Sequence, residues 1–132
     1  MIGKKLLSLA GAIQKHEGWG PDDLATLNAN EETPAFRNNN PGNLTYSPFA
    51  MGNRGRFAYF YNEQVGFMAL LWDLHQKCTG NTVTGLKGTS TLEQLMAIYA
   101  PPCENNTGAY IKFIEGETGF SRKMKLVELV AK

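Results

Sequence analysis

Residues 36–44 read FRNNNPGNL. Four asparagines, a proline and a glycine fall within nine residues. Proline lacks the N–H that a helix interior or a central strand needs, and asparagine and glycine accept unusual backbone angles. The stretch therefore reads as a turn-rich connection, and it divides a helical start from a strand-like segment. A plain connector does not require so many amides, so the segment is also a candidate binding surface.

Upstream, Lys4 to Gly18 has helical spacing. Leu6, Leu9, Ala10 and Ile13 mark one face, and Gly18 ends it. Pro21-Asp22-Asp23-Leu24 can open a short second helix, because proline and acids favour a first turn. Glu31 to Asn43 reads as loop. Downstream, Leu44-Thr45-Tyr46 and Phe57 to Tyr61 have strand composition and predict a small hairpin across the link SPFAMGNRGR. Glu63 to Lys77 is a strong helix with Asn62 as its N-cap. It is apolar on most sides and is expected to be central and buried. Residues 79–90 are loop. Ser90-Thr91-Leu92-Glu93 resembles a capping box for a helix reaching Ile98 or Tyr99, before Pro101 and Pro102. Another helix is expected from Asn106 or Thr107 to about Glu117, stopping at Gly119, and Ser121 can cap a last one. The fold class is α+β and mostly helical.

The length of 132 residues fits one domain over 1–132, and 42% hydrophobic residues allow a real core. Thirteen basic and twelve acidic side chains leave a formal charge of +1. A nucleic-acid partner is not expected from that balance. No stretch approaches the roughly 20 apolar residues of a membrane span, so no membrane insertion is expected. The basic, briefly apolar N-terminus has some look of a leader. Its apolar residues continue at helical spacing into Ile13, which favours an amphipathic first helix and no export signal. Cys78 and Cys103 make no disulfide framework, and they read as reduced thiols unless the chain meets an oxidising compartment. No Cys/His cluster suggests a metal, and no cofactor is expected.

Glu17 stands out. It lies four residues after Ile13 and eleven after Leu6, so at 100° per residue it extends the apolar stripe. It also sits in the last helical turn, where the dipole disfavours a negative charge, and Trp19 follows closely. Burial, the dipole and the indole each favour the neutral acid over the carboxylate. Such a group can donate a proton to the leaving oxygen of a glycosidic bond. The plain alternative is a solvated glutamate at a frayed helix end. Sugar sites pair planar amides with hydroxyl and acetamido groups, beside aromatic faces. Asn38, Asn39, Asn40 and Asn43 supply one such segment. IYAPPCENNTGAY supplies another, with Tyr99, Asn105, Asn106, Thr107 and Tyr110. The alternatives here are a tight Asn-Pro-Gly-Asn turn and a helix cap at Asn106-Thr107.

The strings AIQKHEGW, FRNNNPGNLTY, NEQVGFMALLWDL and YAPPCENNTGAYI together resemble a family of small phage and prophage lysozyme-like proteins. These are similar to lytic transglycosylases and goose-type lysozymes, which cut the glycan strands of peptidoglycan. The resemblance covers roughly Leu6 to Ile114. It implies a lysozyme-like fold with a helical body, a hairpin lobe and a sugar groove. It further implies that Glu17 is the general acid, that Asn43, Leu44 and Tyr46 line the groove, and that Tyr99, Asn105 and Tyr110 border it. Two features depart from the family pattern. Gly18 follows the acid where many lytic transglycosylases carry serine, and PGNLTY stands roughly where Gly-Leu-Met-Gln would be expected.

The implied reaction cleaves the β-1,4 bond between N-acetylmuramic acid and N-acetylglucosamine. Asp22, Glu31, Glu32 and Glu63 are the candidates for a second carboxylate, and none stands in a strong motif. A lytic transglycosylase needs none, because the sugar's own 6-hydroxyl attacks. His16 points about 100° away from Glu17 and reads as a surface imidazole. Arg37, Arg54 and Arg56 read as soluble surface, and Phe57, Tyr59, Phe60 and Tyr61 as hairpin core with one exposed ring. The rival to an enzyme is a non-catalytic peptidoglycan-binding or virion structural module. The expected partner is the glycan strand. A wall cutter without its own export signal would reach the wall or periplasm through a pore-forming partner, or travel within a virion.

Overall fold

The computed structural model describes residues 3–18 and 33–131. Among the described residues it is an α+β protein with six helices and one antiparallel pair of strands. In chain order these are α1 (Lys4–His16), α2 (Pro34–Arg37), β1 (Gly52–Arg54), β2 (Phe57–Tyr59), α3 (Glu63–Cys78), α4 (Leu92–Tyr99), α5 (Thr107–Thr118) and α6 (Leu126–Val130). The chain divides into two compact units. One is Ile13–Asp73, and the other is Met1–Ala12 with Leu74–Lys132. The helix expected at Pro21–Leu24 lies outside the described residues, as does Trp19.

Helix α1 forms where the apolar spacing places it, and Leu6, Leu9, Ala10 and Ile13 are fully buried. It ends at His16, two residues before the expected stop. Gly18 has φ +90°, a left-handed conformation that glycine adopts without strain and that ends the helical ladder.

In the unit Ile13–Asp73, the stretch expected to be loop from Glu31 to Asn43 contains α2. Pro34 stands at its start, and the Thr33 hydroxyl accepts the Phe36 N–H at 3.2 Å. This is ordinary N-terminal helix chemistry in a segment too short to show periodicity. The hairpin also differs from expectation. Leu44–Tyr46 is not a strand, and β1 lies inside the supposed link. Gly52 pairs with Tyr59, Asn53 with Ala58 and Arg54 with Phe57. Gly55, at φ +63°, takes the first of two loop positions, where a type II′ hairpin requires positive φ. The Leu44 carbonyl still accepts the Ala58 N–H at 2.9 Å, so the expected strand keeps one bond without a ladder.

Asn62 caps α3 as expected, its Oδ1 accepting the Val65 N–H at 2.9 Å. The helix is not buried all round. Gly66, Ala69 and Leu70 are covered, while Met68 is 45% and Trp72 41% exposed. Apolar side chains often remain at a protein's surface, because polar atoms are too few to cover it. The edge of one of the Phe49 and Trp72 rings meets the face of the other, with centroids 5.6 Å apart. Gly66 packs so tightly on the turn at Asn39–Pro41 that an added Cβ would overlap the Asn39 carbonyl oxygen.

In the other unit, the capping box of α4 sits one residue later than expected. Thr91 Oγ1 accepts the Gln94 N–H at 3.2 Å, and Gln94 Oε1 accepts the Thr91 N–H at 2.8 Å. Asn106 caps α5, and Gly119, at φ +77°, closes it. Ser121 does not start the last helix. Its carbonyl and hydroxyl hold a turn, accepting from Met124 and Lys123. Helix α6 begins at Leu126, with Glu128 Oε2 accepting the Lys125 N–H at 2.7 Å. Backbone bonds from Leu92 to Met124 and from Leu126 to Ser90 join the starts of α4 and α6. Leu92, Leu95, Met96, Ile114, Leu126 and Leu129 are fully buried. Cys78 is buried and Cys103 is exposed, and no disulfide joins them. Among the described residues no helix is long and apolar enough to cross a membrane.

Candidate active site

Glu17 closes the last turn of α1, its N–H donating to the Ile13 carbonyl at 2.9 Å. Gly18 then turns the chain, and its carbonyl accepts the Thr33 hydroxyl at 3.2 Å. The same hydroxyl caps α2, so one side chain ties the end of α1 to the start of α2. Beyond α2 the asparagine run begins, and its amides prove to have different tasks.

Asn40 is fully buried and serves the backbone. Its Nδ2 donates to the carbonyls of Leu44 and Ala58, both at 2.9 Å, and its Oδ1 accepts the Leu44 N–H at 2.9 Å. It thereby fastens the Pro41–Leu44 turn to β2. Asn39 takes φ +53°, and its Nδ2 reaches the Phe60 carbonyl at 3.2 Å. Asn38 is buried, and its carbonyl accepts the Phe60 N–H at 2.9 Å. Asn39 and Asn40 thus use their side-chain amides on buried or partly buried backbone groups, which would otherwise be costly, while Asn38 serves through its main-chain carbonyl and its Oδ1 faces Arg54 Nη1 at 3.5 Å. The need for them comes from a turn packed inside the protein.

Asn43 is the exception. It sits at φ +49°, a left-handed position that asparagine tolerates better than most residues. From there its Nδ2 donates to Glu17 Oε1 at 2.9 Å, joining residues 26 apart in sequence. The Asn43 Oδ1 is buried and receives no donor among the described residues. The site thus pairs a partly covered carboxyl, held by an amide, with a buried acceptor that lacks a donor among the described residues.

Leu44 is 6% exposed, and its N–H and carbonyl are engaged by Asn40. Tyr46 is 74% exposed. Tyr99, Asn105 and Tyr110 belong to the other unit. Tyr99 is half-buried, with Lys77 Nζ 5.8 Å from its ring centroid. Asn105 is exposed, and its N–H bonds the Pro101 carbonyl at 3.0 Å. Tyr110 is buried among the core positions of α5, so its ring is no open face.

The same compact unit holds an open pocket of about 440 Å³, lined by Gln14, Glu63, Gln64, Phe67, Met68 and Leu71 and not by Glu17 or Asn43. Gln14 precedes Glu17 by three residues, a spacing that makes the two neighbours on a helix surface. Sequence reasoning misses this pocket because it reads α3 as buried. Nor is Arg54 free surface. Its Nη1 donates to the Arg37 carbonyl at 3.3 Å, and its guanidinium stacks 4.3 Å from the Tyr59 ring centroid. Partial burial lowers the His16 pKa from its ordinary value, and the neighbouring Glu17 charge partly opposes that shift. Among the described residues no cluster of His, Cys, Asp or Glu could hold a metal ion.

Comparison with protein-family models, with curated proteins and with solved structures finds no match to this chain.

Proposed function

We propose that the protein has a lysozyme-like fold and cleaves peptidoglycan glycan strands, as a muramidase or lytic transglycosylase with Glu17 as general acid. One observation carries this reading, the hydrogen bond from Asn43 Nδ2 to Glu17 Oε1 at 2.9 Å. The motif resemblance implies these two residues as acid and groove residue, and in the fold they meet although 26 positions separate them. The same unit holds an open pocket lined by amides and apolar side chains, with room for a bulky ligand.

In this mechanism Glu17 gives its proton to the bridging oxygen as the glycosidic C–O bond breaks. Positive charge develops on the muramic acid ring. It is then quenched by water, activated by a second carboxylate, or by the ring's own 6-hydroxyl, which gives its proton to the Glu17 carboxylate as the anhydro sugar forms. Asp22, Glu31 and Glu32 lie outside the described residues. Glu63 is exposed on the first turn of α3 and lines the pocket.

The test compares wild type with Glu17→Gln on purified sacculi, with circular dichroism to establish that both are folded. Wild type is expected to clear the suspension and the variant to lose at least about a hundredfold of the rate, the scale of general-acid catalysis. Mass spectrometry of the fragments separates anhydro from reducing ends. Equal clearing by both proteins would remove Glu17 from the mechanism. Sedimentation of both with sacculi, without any cutting, would replace the enzyme by a binding module.

A further inference from the structure

The geometry points to Asn43 as a two-sided residue, whose Nδ2 positions the Glu17 carboxyl while its Oδ1 accepts an N–H or O–H of the glycan. This inference rests on the proposed peptidoglycan reading and gives that site a specific positioning and recognition residue. Three observations bear on it. The Nδ2 already donates to Glu17 Oε1 at 2.9 Å. The Oδ1 is buried, yet no donor among the described residues reaches it. The backbone holds φ +49°, a conformation that keeps this side chain in place at some conformational cost.

An orphaned buried acceptor is unusual, because native proteins satisfy nearly all such groups. The neighbouring amides make the contrast plain. Asn40 uses both Nδ2 hydrogens and its Oδ1 on the backbone. Asn43 uses one end on a carboxyl, and its other end is buried without a donor among the described residues. An amino sugar offers the matching groups in its acetamido N–H and its hydroxyls. When one of them donates to Oδ1, the single amide plane fixes the distance between the sugar and the acid. Glycan seating and acid placement are then coupled through one side chain. A rigidly held donor on a carboxyl also limits the rotamers from which Glu17 can act, as catalytic positioning requires.

The test uses two variants that keep the left-handed backbone available, Asn43→Gly and Asn43→Asp. Asn43→Gly removes both ends of the amide. Asn43→Asp keeps the acceptor but sets a second carboxyl against Glu17. Binding of a soluble N-acetylglucosamine oligomer is measured on the Glu17→Gln background, and turnover of sacculi on the Glu17 background as a function of pH.

Asn43→Gly is expected to weaken oligomer binding by about fivefold and to lower kcat by about tenfold, the scale of one hydrogen bond in each case. Asn43→Asp is expected to bind within about twofold of the parent, because the acceptor is retained. Its pH profile of turnover should differ from that of the parent, because two adjacent carboxyls compete for one proton. If Asn43→Gly leaves both binding and kcat unchanged, the inference is wrong. It is equally wrong if both variants lose binding and turnover alike with an unaltered pH profile, because that outcome describes a structural turn residue. Failure of the wider reading looks different: Glu17→Gln itself would then clear sacculi as fast as wild type.

Discussion

A Cβ placed on Gly18 would stand 2.5 Å from the Cγ2 of Thr33. The contact closes the turn that follows Glu17, and it leaves no room for a serine side chain at this position. Gly18 faces two obstacles to substitution, this contact and its φ of +90°. Gly18→Ser is expected to destabilise the protein by about 1–3 kcal/mol. Thr33→Ser in the same chain removes Cγ2 but keeps the hydroxyl that bonds Gly18 and caps α2. The double variant should regain part of the loss, leaving the backbone strain. Urea denaturation of the single and double variants checks this, and equal stability of Gly18→Ser and wild type contradicts it.

Helical glycines divide sharply by their surroundings. Gly66 lies on α3 against the Asn39 carbonyl, where a Cβ has no space and the obstacle is backbone. Gly11 lies inside α1, where an added Cβ would meet nothing within 4 Å. Alanine has the higher helix propensity by about 1 kcal/mol, so Gly11→Ala should stabilise by about that amount. Gly66→Ala should lose about 3 kcal/mol, because overpacking against backbone outweighs propensity. Thermal melts of the two variants should move in opposite directions.

The long elements are legible in the sequence through periodicity and caps. The apolar stripe of α1, the Asn62 cap of α3, and the Asn106 and Gly119 ends of α5 all lie where their residue types place them. Short elements are less legible. Helix α2 has four residues, too few for a period, and β1 (Gly-Asn-Arg) has no strand-forming side chains at all. It pairs because Gly55 turns the chain back beside β2. At the site, the face of Glu17 is readable from spacing. The division of labour among the asparagines is not, since it depends on which backbone groups the fold leaves unpaired. The apolar character of α3 predicts burial, but it cannot tell a covered side from one that lines an open pocket.

Asn40 allows a direct measure of what the amide run contributes. Removing its side chain by Asn40→Ala leaves the Leu44 N–H, the Leu44 carbonyl and the Ala58 carbonyl each short of a bond that Asn40 supplies. The Leu44 carbonyl keeps its bond from the Ala58 N–H, so it suffers least. Each buried group left unsatisfied costs about 1–3 kcal/mol, so the two that lose their bond outright give an expected loss of about 2–6 kcal/mol. Asn40→Asp should be comparably damaging, because a carboxylate cannot donate to the two carbonyls. Amide hydrogen exchange at Leu44 should quicken in Asn40→Ala, where its N–H loses its acceptor. Unchanged exchange would mean that the turn is held by other contacts.

His16 links stability to pH beside the acid. Its pKa is lowered from 6.5, first by partial burial, with the Glu17 charge pulling the other way. The unfolded chain therefore takes up this proton at a higher pH than the folded one. Stability associated with the neutral imidazole is fully present above about 6.5 and is lost as pH falls through the lower folded value. His16→Gln should flatten that part of the acid-side loss. Glu17→Gln removes the charge that raises the His16 value, so the imidazole should titrate at still lower pH in that variant. NMR titration of the ring protons resolves His16 from His75, the other histidine in the chain. A His16 midpoint above about 6.5, or one that rises in Glu17→Gln, would contradict the assigned balance of burial against charge.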